Sequence, residues 1–176
     1  MQFKECYQNP FIEERADPYI TLGPDGFYYF TASYPMKSAD DKDGYDRVIL
    51  RRAKDISELA SAEEITIWKV ADTTLTHRFI WAPELHYIAG RWYVFYAGSE
   101  DKENNWAFDC HVLVCDSDDP YTGTWSEKGK FQKREDDDFS FTGFSLDMTY
   151  FEDGERSYVI WAQHSPEKIS CLYLGK

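Results

Sequence analysis

The sequence predicts an all-β fold of successive small antiparallel sheets, and three observations carry the prediction. One pattern occurs three times: a strand, a glycine turn, and an aromatic-rich returning strand. The copies are Asp17–Leu22 into Phe27–Ser33, Glu84–Ala89 into Trp92–Gly98, and Ser145–Glu152 into Arg156–Gln163. Their turn glycines, Gly26, Gly90 and Gly154, stand at equal intervals of 64 residues (90 − 26 and 154 − 90), and glycine permits the positive φ of a tight hairpin. Each hairpin is entered by an acid, Asp17, Glu84 or Asp147. Finally, apolar residues follow the two-residue period of strands, and no long segment holds a helical period. A sheet motif repeated at a fixed interval is the signature of β-propeller blades.

Taken in order, residues 1–16 form a lead-in with a turn signal at Asn9-Pro10. The first hairpin is followed by a polar loop, Met36–Tyr45, and by Asp46–Ala53, whose alternation predicts a third strand. Asp55-Ile-Ser-Glu-Leu predicts a short helical turn, and Ile65–Trp68 a fourth strand. The second unit adds Cys110–Asp116 and a short strand near Gly123–Ser126 to its hairpin; the third adds Lys168–Leu174. The chain is thus one incomplete propeller domain, 1–176, with blade 1 at about 17–70, blade 2 at about 81–128 and a partial blade 3 at about 144–176. That is roughly two and three-quarter blades, where closed propellers have about four to eight. Open blade faces would be covered by further chain or by a second copy, so a homo-oligomer is an expected partner.

A net charge of −13 argues against nucleic acid and anionic membranes as partners. Much of that charge sits in Asp40-Asp41-Lys42-Asp43 and Glu135-Asp136-Asp137-Asp138. Neither run has the ligand alternation of a calcium loop, so both are expected to be solvated, with no metal and no cofactor. No apolar run approaches the roughly 20 residues of a membrane span, and Met1–Cys6 lacks the apolar core of a signal peptide; together these predict a cytoplasmic protein. Cys6, Cys110, Cys115 and Cys171 form no CxxC pair and are expected to be buried free thiols. Cys110 and Cys115, five residues apart on one strand, would face opposite sides.

Innermost strands line a propeller's central channel, so acids at their starts would converge on one pocket. Converging carboxylates suit glycoside hydrolysis, in which one activates water and another protonates the leaving oxygen. The 12 Phe, 13 Tyr and 6 Trp supply faces on which sugar rings could stack. His77, His86, His111 and His164 show no ligand spacing and read as ordinary surface or core residues. No Ser or Cys has the context of a covalent nucleophile.

Three segments, in this order and spacing, resemble glycoside hydrolase family 43, and most closely its α-L-arabinofuranosidase-like members. They are Asn9-Pro10 with Arg15-Ala16-Asp17-Pro18-Tyr19, then Trp81-Ala82-Pro83-Glu84-Leu85, then Phe144-Ser145-Leu146-Asp147-Met148-Thr149-Tyr150-Phe151. The resemblance implies a five-bladed propeller that hydrolyses arabinose- or xylose-containing saccharides with inversion. Asp17 then matches the general base, and Asp147 the acid that holds the sugar and raises the proton donor's pKa. Trp81 matches an aromatic of the sugar subsite, Ser33 and Phe144 are candidates for the pocket wall, and Glu84 corresponds to an acid beside the pocket. The family's donor, a Glu in a Glu-Gly-Pro-like segment, has no match after Asp147; Glu152, Glu155 and Glu167 lack that context. The expectation is therefore the N-terminal part of such an enzyme, weak or inactive alone. The alternative is a non-catalytic carbohydrate-binding or self-assembling half-propeller. A protein-interaction propeller of the WD or kelch kind is disfavoured, because its signatures and its period of roughly 40–50 residues are missing.

Overall fold

The computed structural model describes residues 7–38, 44–70, 75–76, 78–101, 103–104 and 106–176, with only the backbone of Arg78. Cys6, His77 and the run Asp40–Asp43 lie outside the described residues. Among the described residues, eleven strands form three antiparallel sheets in chain order. The first holds β1 (Ala16–Leu22), β2 (Tyr28–Ser33), β3 (Arg47–Ala53) and β4 (Ile65–Lys69). The second holds β5 (Arg78–Ile88), β6 (Arg91–Ser99), β7 (Phe108–Cys115) and β8 (Trp125–Lys130). The third holds β9 (Ser145–Asp153), β10 (Arg156–His164) and β11 (Ser170–Gly175). No described helix is long and apolar enough to cross a membrane.

The expected helical turn is a 3₁₀ segment, Ile56–Ala60; Asp55 accepts from the Ser57 N–H while Glu58 reaches back to the Asp55 N–H. Two strands differ from expectation for identifiable reasons. The last strand of the second sheet starts at Trp125, because the Gly123 N–H still closes a turn onto the Asp119 carbonyl. β5 starts at Arg78, upstream of Glu84, because two bulges carry it through Pro83. A proline has no N–H to donate, and a bulge is one of the few strand sites that needs none.

Alternation along the strands feeds two faces of each sheet. Tyr29, Val48, Leu50 and Trp68 of the first sheet meet Leu85, Trp92, Val94, Tyr96, Leu113 and Trp125 of the second in one buried cluster. Phe95 and Cys110, on the opposite face of the second sheet, meet Met148 and Trp161 of the third. Cys110 and Cys115 thus point to opposite sides of β7, both buried and free. Cys171 departs from expectation: it is free but exposed on β11. The outward face of the first sheet is covered by its own chain, with Phe30, Ile49 and Leu59 under Phe11, Ile12 and Tyr34. On the third sheet Phe151, Leu172 and Leu174 stand exposed.

Candidate active site

The three innermost strands, β1, β5 and β9, carry the same irregularity. In β1 the register passes from Ala16↔Ser33 to Tyr19↔Thr31, leaving Asp17 and Pro18 bulged. In β5 it passes from Trp81↔Ala97 to Glu84↔Phe95, leaving Ala82 and Pro83. In β9 it passes from Leu146↔Ala162 to Thr149↔Ile160, leaving Asp147 and Met148. The first bulged residue is left-handed each time, with φ of 51° at Asp17, 44° at Ala82 and 53° at Asp147. These three stand at equal intervals of 65 residues (82 − 17 and 147 − 82). Asp is among the residues that tolerate this region; for Ala it is uncommon and strained. A bulge re-aims the side chain it carries, and here two of three bulges aim a carboxylate.

This geometry corrects one reading of the sequence. Glu84 is not the counterpart of Asp17 and Asp147: by register it matches Tyr19 and Thr149, and the counterpart of the two aspartates is Ala82. Glu84 nevertheless reaches the same place. Asp17, Tyr19, Ala82, Glu84 and Asp147 line one small cleft of about 240 Å³. Burial, and then the charges of Asp17 and Glu84, push the Asp147 carboxyl above the ordinary aspartate range.

Buried neighbours hold these groups in place. The Ser33 hydroxyl, fully buried, donates to Asp17 Oδ2 at 2.7 Å and accepts from the Ala82 N–H at 2.8 Å. It ties the carboxylate of one sheet to the bulge of the next, behind the cleft and not in its wall. His86, two residues from Glu84 on the same strand face, lies 3.0 Å from Glu84 Oε2 through Nε2 and 3.3 Å from the Tyr19 hydroxyl through Nδ1. A carboxylate only accepts, so Nε2 is the donor to Glu84. Burial and the Glu84 charge push the Tyr19 hydroxyl up to about 12, which keeps it a donor. The His86 ring also lies 5.8 Å from that of Tyr150, so it touches all three sheets. His86 was read as an ordinary residue; its i, i+2 spacing from Glu84 was the signal available in the sequence.

Trp81 and Phe144 are not among the residues that line the acid cleft. Trp81 stacks on Phe108 at 4.2 Å and lines an aromatic crevice with Phe79 and Trp106. Phe144 stacks on His164 at 4.9 Å and lines a larger cleft that also includes Trp106. His111 is buried on β7, 3.8 Å from Glu127 and away from the acid cleft. Among the described residues no group of three or more His, Cys, Asp and Glu is placed to hold a metal ion.

Known proteins resemble this chain in sequence and fold. An extracellular exo-α-(1→5)-L-arabinofuranosidase of Streptomyces chartreusis is 41% identical over 160 residues, 91% of this chain and 44% of the relative. A protein of the same description from Streptomyces avermitilis is 39% identical over 172 residues, 97% of this chain and 33% of the relative. The crystal structure of an α-L-arabinofuranosidase from Lactobacillus brevis superposes with a TM-score of 0.79 at 36% identity, covering 96% of this chain and 50% of the relative. This chain therefore spans between about a third and a half of the length of these relatives. The fold is part of the five-bladed β-propeller of such enzymes. The two Streptomyces relatives are named extracellular, which overturns the expectation of a cytoplasmic protein. That expectation rested on the lack of a membrane-length apolar run and of an apolar core in Met1–Cys6, and burial accounts for the free thiols of Cys110 and Cys115 without appeal to compartment. The sequence model of glycosyl hydrolases family 43 matches residues 7–175, nearly the whole chain, and the chain belongs to that family.

Proposed function

We propose that this chain carries the water-activating side of an inverting glycoside hydrolase acting on arabinose- or xylose-containing saccharides, as one incomplete catalytic domain whose three sheets are blades 1 to 3. The observation that supports it most is the pair of bulged aspartates, Asp17 and Asp147, facing one cleft with Glu84. Asp17, held through Oδ2 by Ser33, has its other oxygen without a hydrogen bond among the described residues. That oxygen takes a proton from water as the water attacks the anomeric carbon opposite the leaving group. In an inverting site the proton donor lies about 6.5–9.5 Å from the base. Asp147, already raised by burial and then by its acidic neighbours, accepts hydrogen bonds from sugar hydroxyls and raises the pKa of a donor brought near it. Glu84, fixed by His86, closes the cleft from the second sheet.

No acid of this chain matches the family's donor segment, and the substrate's leaving group turns that into a test. General-acid assistance is worth about 10²–10⁴-fold where the leaving group is basic and little where it is already a weak base. A dinitrophenyl α-L-arabinofuranoside or β-xyloside is therefore expected to turn over slowly, an arabinobiose not at all, and Asp17→Asn to abolish the first reaction. Equal turnover in Asp17→Asn would refute the role of Asp17. Turnover of arabinobiose would mean that a donor is present after all.

Exposed Leu172 and Leu174 on β11 favour a second reading alongside the first, in which two copies pair through the third sheet. Sedimentation velocity distinguishes a dimer from a monomer. A non-catalytic sugar-binding module would bind arabinose-containing saccharides yet leave even the activated substrate intact.

A further inference from the structure

The bulge at Asp17 and Pro18 leaves the β1–β2 ladder short at its far end. Beyond it one pair remains, Ala16↔Ser33, and that pair carries the hydroxyl that holds Asp17. The chain enters the pair through a left-handed Glu14 (φ 56°) and leaves it through the left-handed Asp17, both uncommon conformations outside glycine. A single pair so flanked would fray unless something else held it. Arg15 closes this end. Continuing the register places it opposite Tyr34, and its guanidinium lies over the Tyr34 ring, 4.3 Å from the centroid. Its fork grips Glu64, with Nε donating to Oε2 at 3.2 Å and Nη2 to Oε1, while Nη1 donates to the Glu14 carbonyl. Arg51 of β3 donates to the same Glu64 Oε2 at 3.0 Å, so the carboxylate that receives Arg15 is itself fixed. The Arg15 and Glu64 side chains are only 12% and 18% exposed. Stacking on a ring while meeting a carboxylate with two bonds needs a planar fork, which lysine does not supply.

We propose that Arg15 is a positioning residue for Asp17: it fixes the single ladder pair before the bulge, and through that pair the direction in which the bulge presents the carboxylate to the cleft. This role rests on the acid-cleft reading given above. Among the described residues the Arg15 side chain bonds to Glu64 and Glu14 and to none of the residues lining the cleft, so it acts through the backbone. A displacement of about 1 Å at a reacting group costs about 10²-fold in rate, which gives a residue outside the cleft its leverage on turnover. Asp147 reports where the Asp17 carboxylate stands, because the Asp17 charge, after burial, holds its carboxyl above the ordinary range.

The test measures the Asp147 pKa by NMR in the 176-residue chain and in Arg15→Gln, with Arg51→Gln as the control. Each variant removes one of the two guanidinium groups on Glu64 and leaves the other, and both are expected to lower the urea midpoint. Arg15→Gln alone is expected to lower the Asp147 pKa toward the ordinary value, by less than Asp17→Asn does, and to lower it no further when added to Asp17→Asn. The sign separates position from charge, because deleting a cation by itself raises the pKa of a nearby carboxyl. An Asp147 pKa that rises or stays fixed in Arg15→Gln, or falls equally in Arg51→Gln, overturns the role. If Arg15→Gln does not fold, Tyr34→Leu, which keeps every charge, is expected to give the same fall, and an unmoved pKa there overturns the role. An ordinary Asp147 pKa in the parent chain instead overturns the acid-cleft account, and this inference falls with it.

Discussion

The junction between the first and second sheets and the outer face of the third are built from the same kinds of residue and end in opposite states. At the junction, Tyr29 and Trp92 meet edge to face at 5.1 Å, both about 1% exposed. The Trp92 indole donates to the Asp118 carbonyl at 2.9 Å, and Arg52 reaches Asp119 at 2.9 Å. On the third sheet, Leu172 and Leu174 are 75% and 62% exposed. A strand of period two buries its apolar face only when another layer lies against it. The second sheet has a neighbour on each side, and the first covers its outward face with Phe11, Ile12 and Leu59. The third has one neighbour among the described residues. Asp17 and Glu84 therefore belong to the well-packed pair of sheets, and Asp147 to the more open one.

Substitutions can break or sharpen this contrast. Trp92→Ala removes a buried indole and its hydrogen bond, and is expected to cost about 3–5 kcal/mol, read as the shift in urea midpoint. Ser33→Ala comes next. It leaves the Ala82 N–H and Asp17 Oδ2 without their shared partner, an expected cost of about 1–3 kcal/mol. The same variant should lower turnover of the activated arabinoside, because Asp17 loses its anchor. Ala82→Gly has the opposite sign: relief of φ 44° should raise stability by up to about 1 kcal/mol, seen as a higher Tm. A loss there would mean that the bulge is not strained. Leu172→Ser is smallest, within about 0.5 kcal/mol, since its side chain is already largely in water. A loss comparable to that of Trp92→Ala would show that this face is covered in solution.

The repeat was legible because it is written in backbone chemistry. Glycines at 26, 90 and 154 mark the turns, and aromatic alternation marks the returning strands. The ordered segments around Asp17, Glu84 and Asp147 also located the acid cleft. The register of the bulges was not legible. Asp17, Glu84 and Asp147 stand nine, six and seven residues before their turn glycines (26 − 17, 90 − 84 and 154 − 147), so the turns alone do not fix the counterpart, which the bulges show to be Ala82. Pro18 and Pro83 were the available clue, since both occupy the second bulged position. Ser33 and His86 act through hydrogen bonds between strands far apart in sequence, so Ser33 is reached only through the family resemblance and the only local signal for His86 is its i, i+2 spacing from Glu84. Trp106 lies in the β6–β7 connection, where side-chain exposure depends on packing that periodicity does not encode.

The central claim is that bulges repeated at 65 residues bring the carboxylates of Asp17, Glu84 and Asp147 within electrostatic reach of one another. A raised native pKa means that the folded chain holds the Asp147 proton more tightly than the unfolded chain does. This group's contribution to stability is thus present at low pH and is lost as pH rises from the ordinary aspartate range through the raised value. The most direct measurement is an NMR titration of the Asp147 side-chain carboxyl in the parent chain and in Asp17→Asn. The account predicts a pKa above the ordinary aspartate value in the parent and a lower one in the variant. An Asp147 pKa that is ordinary in the parent, or unmoved by Asp17→Asn, would contradict it.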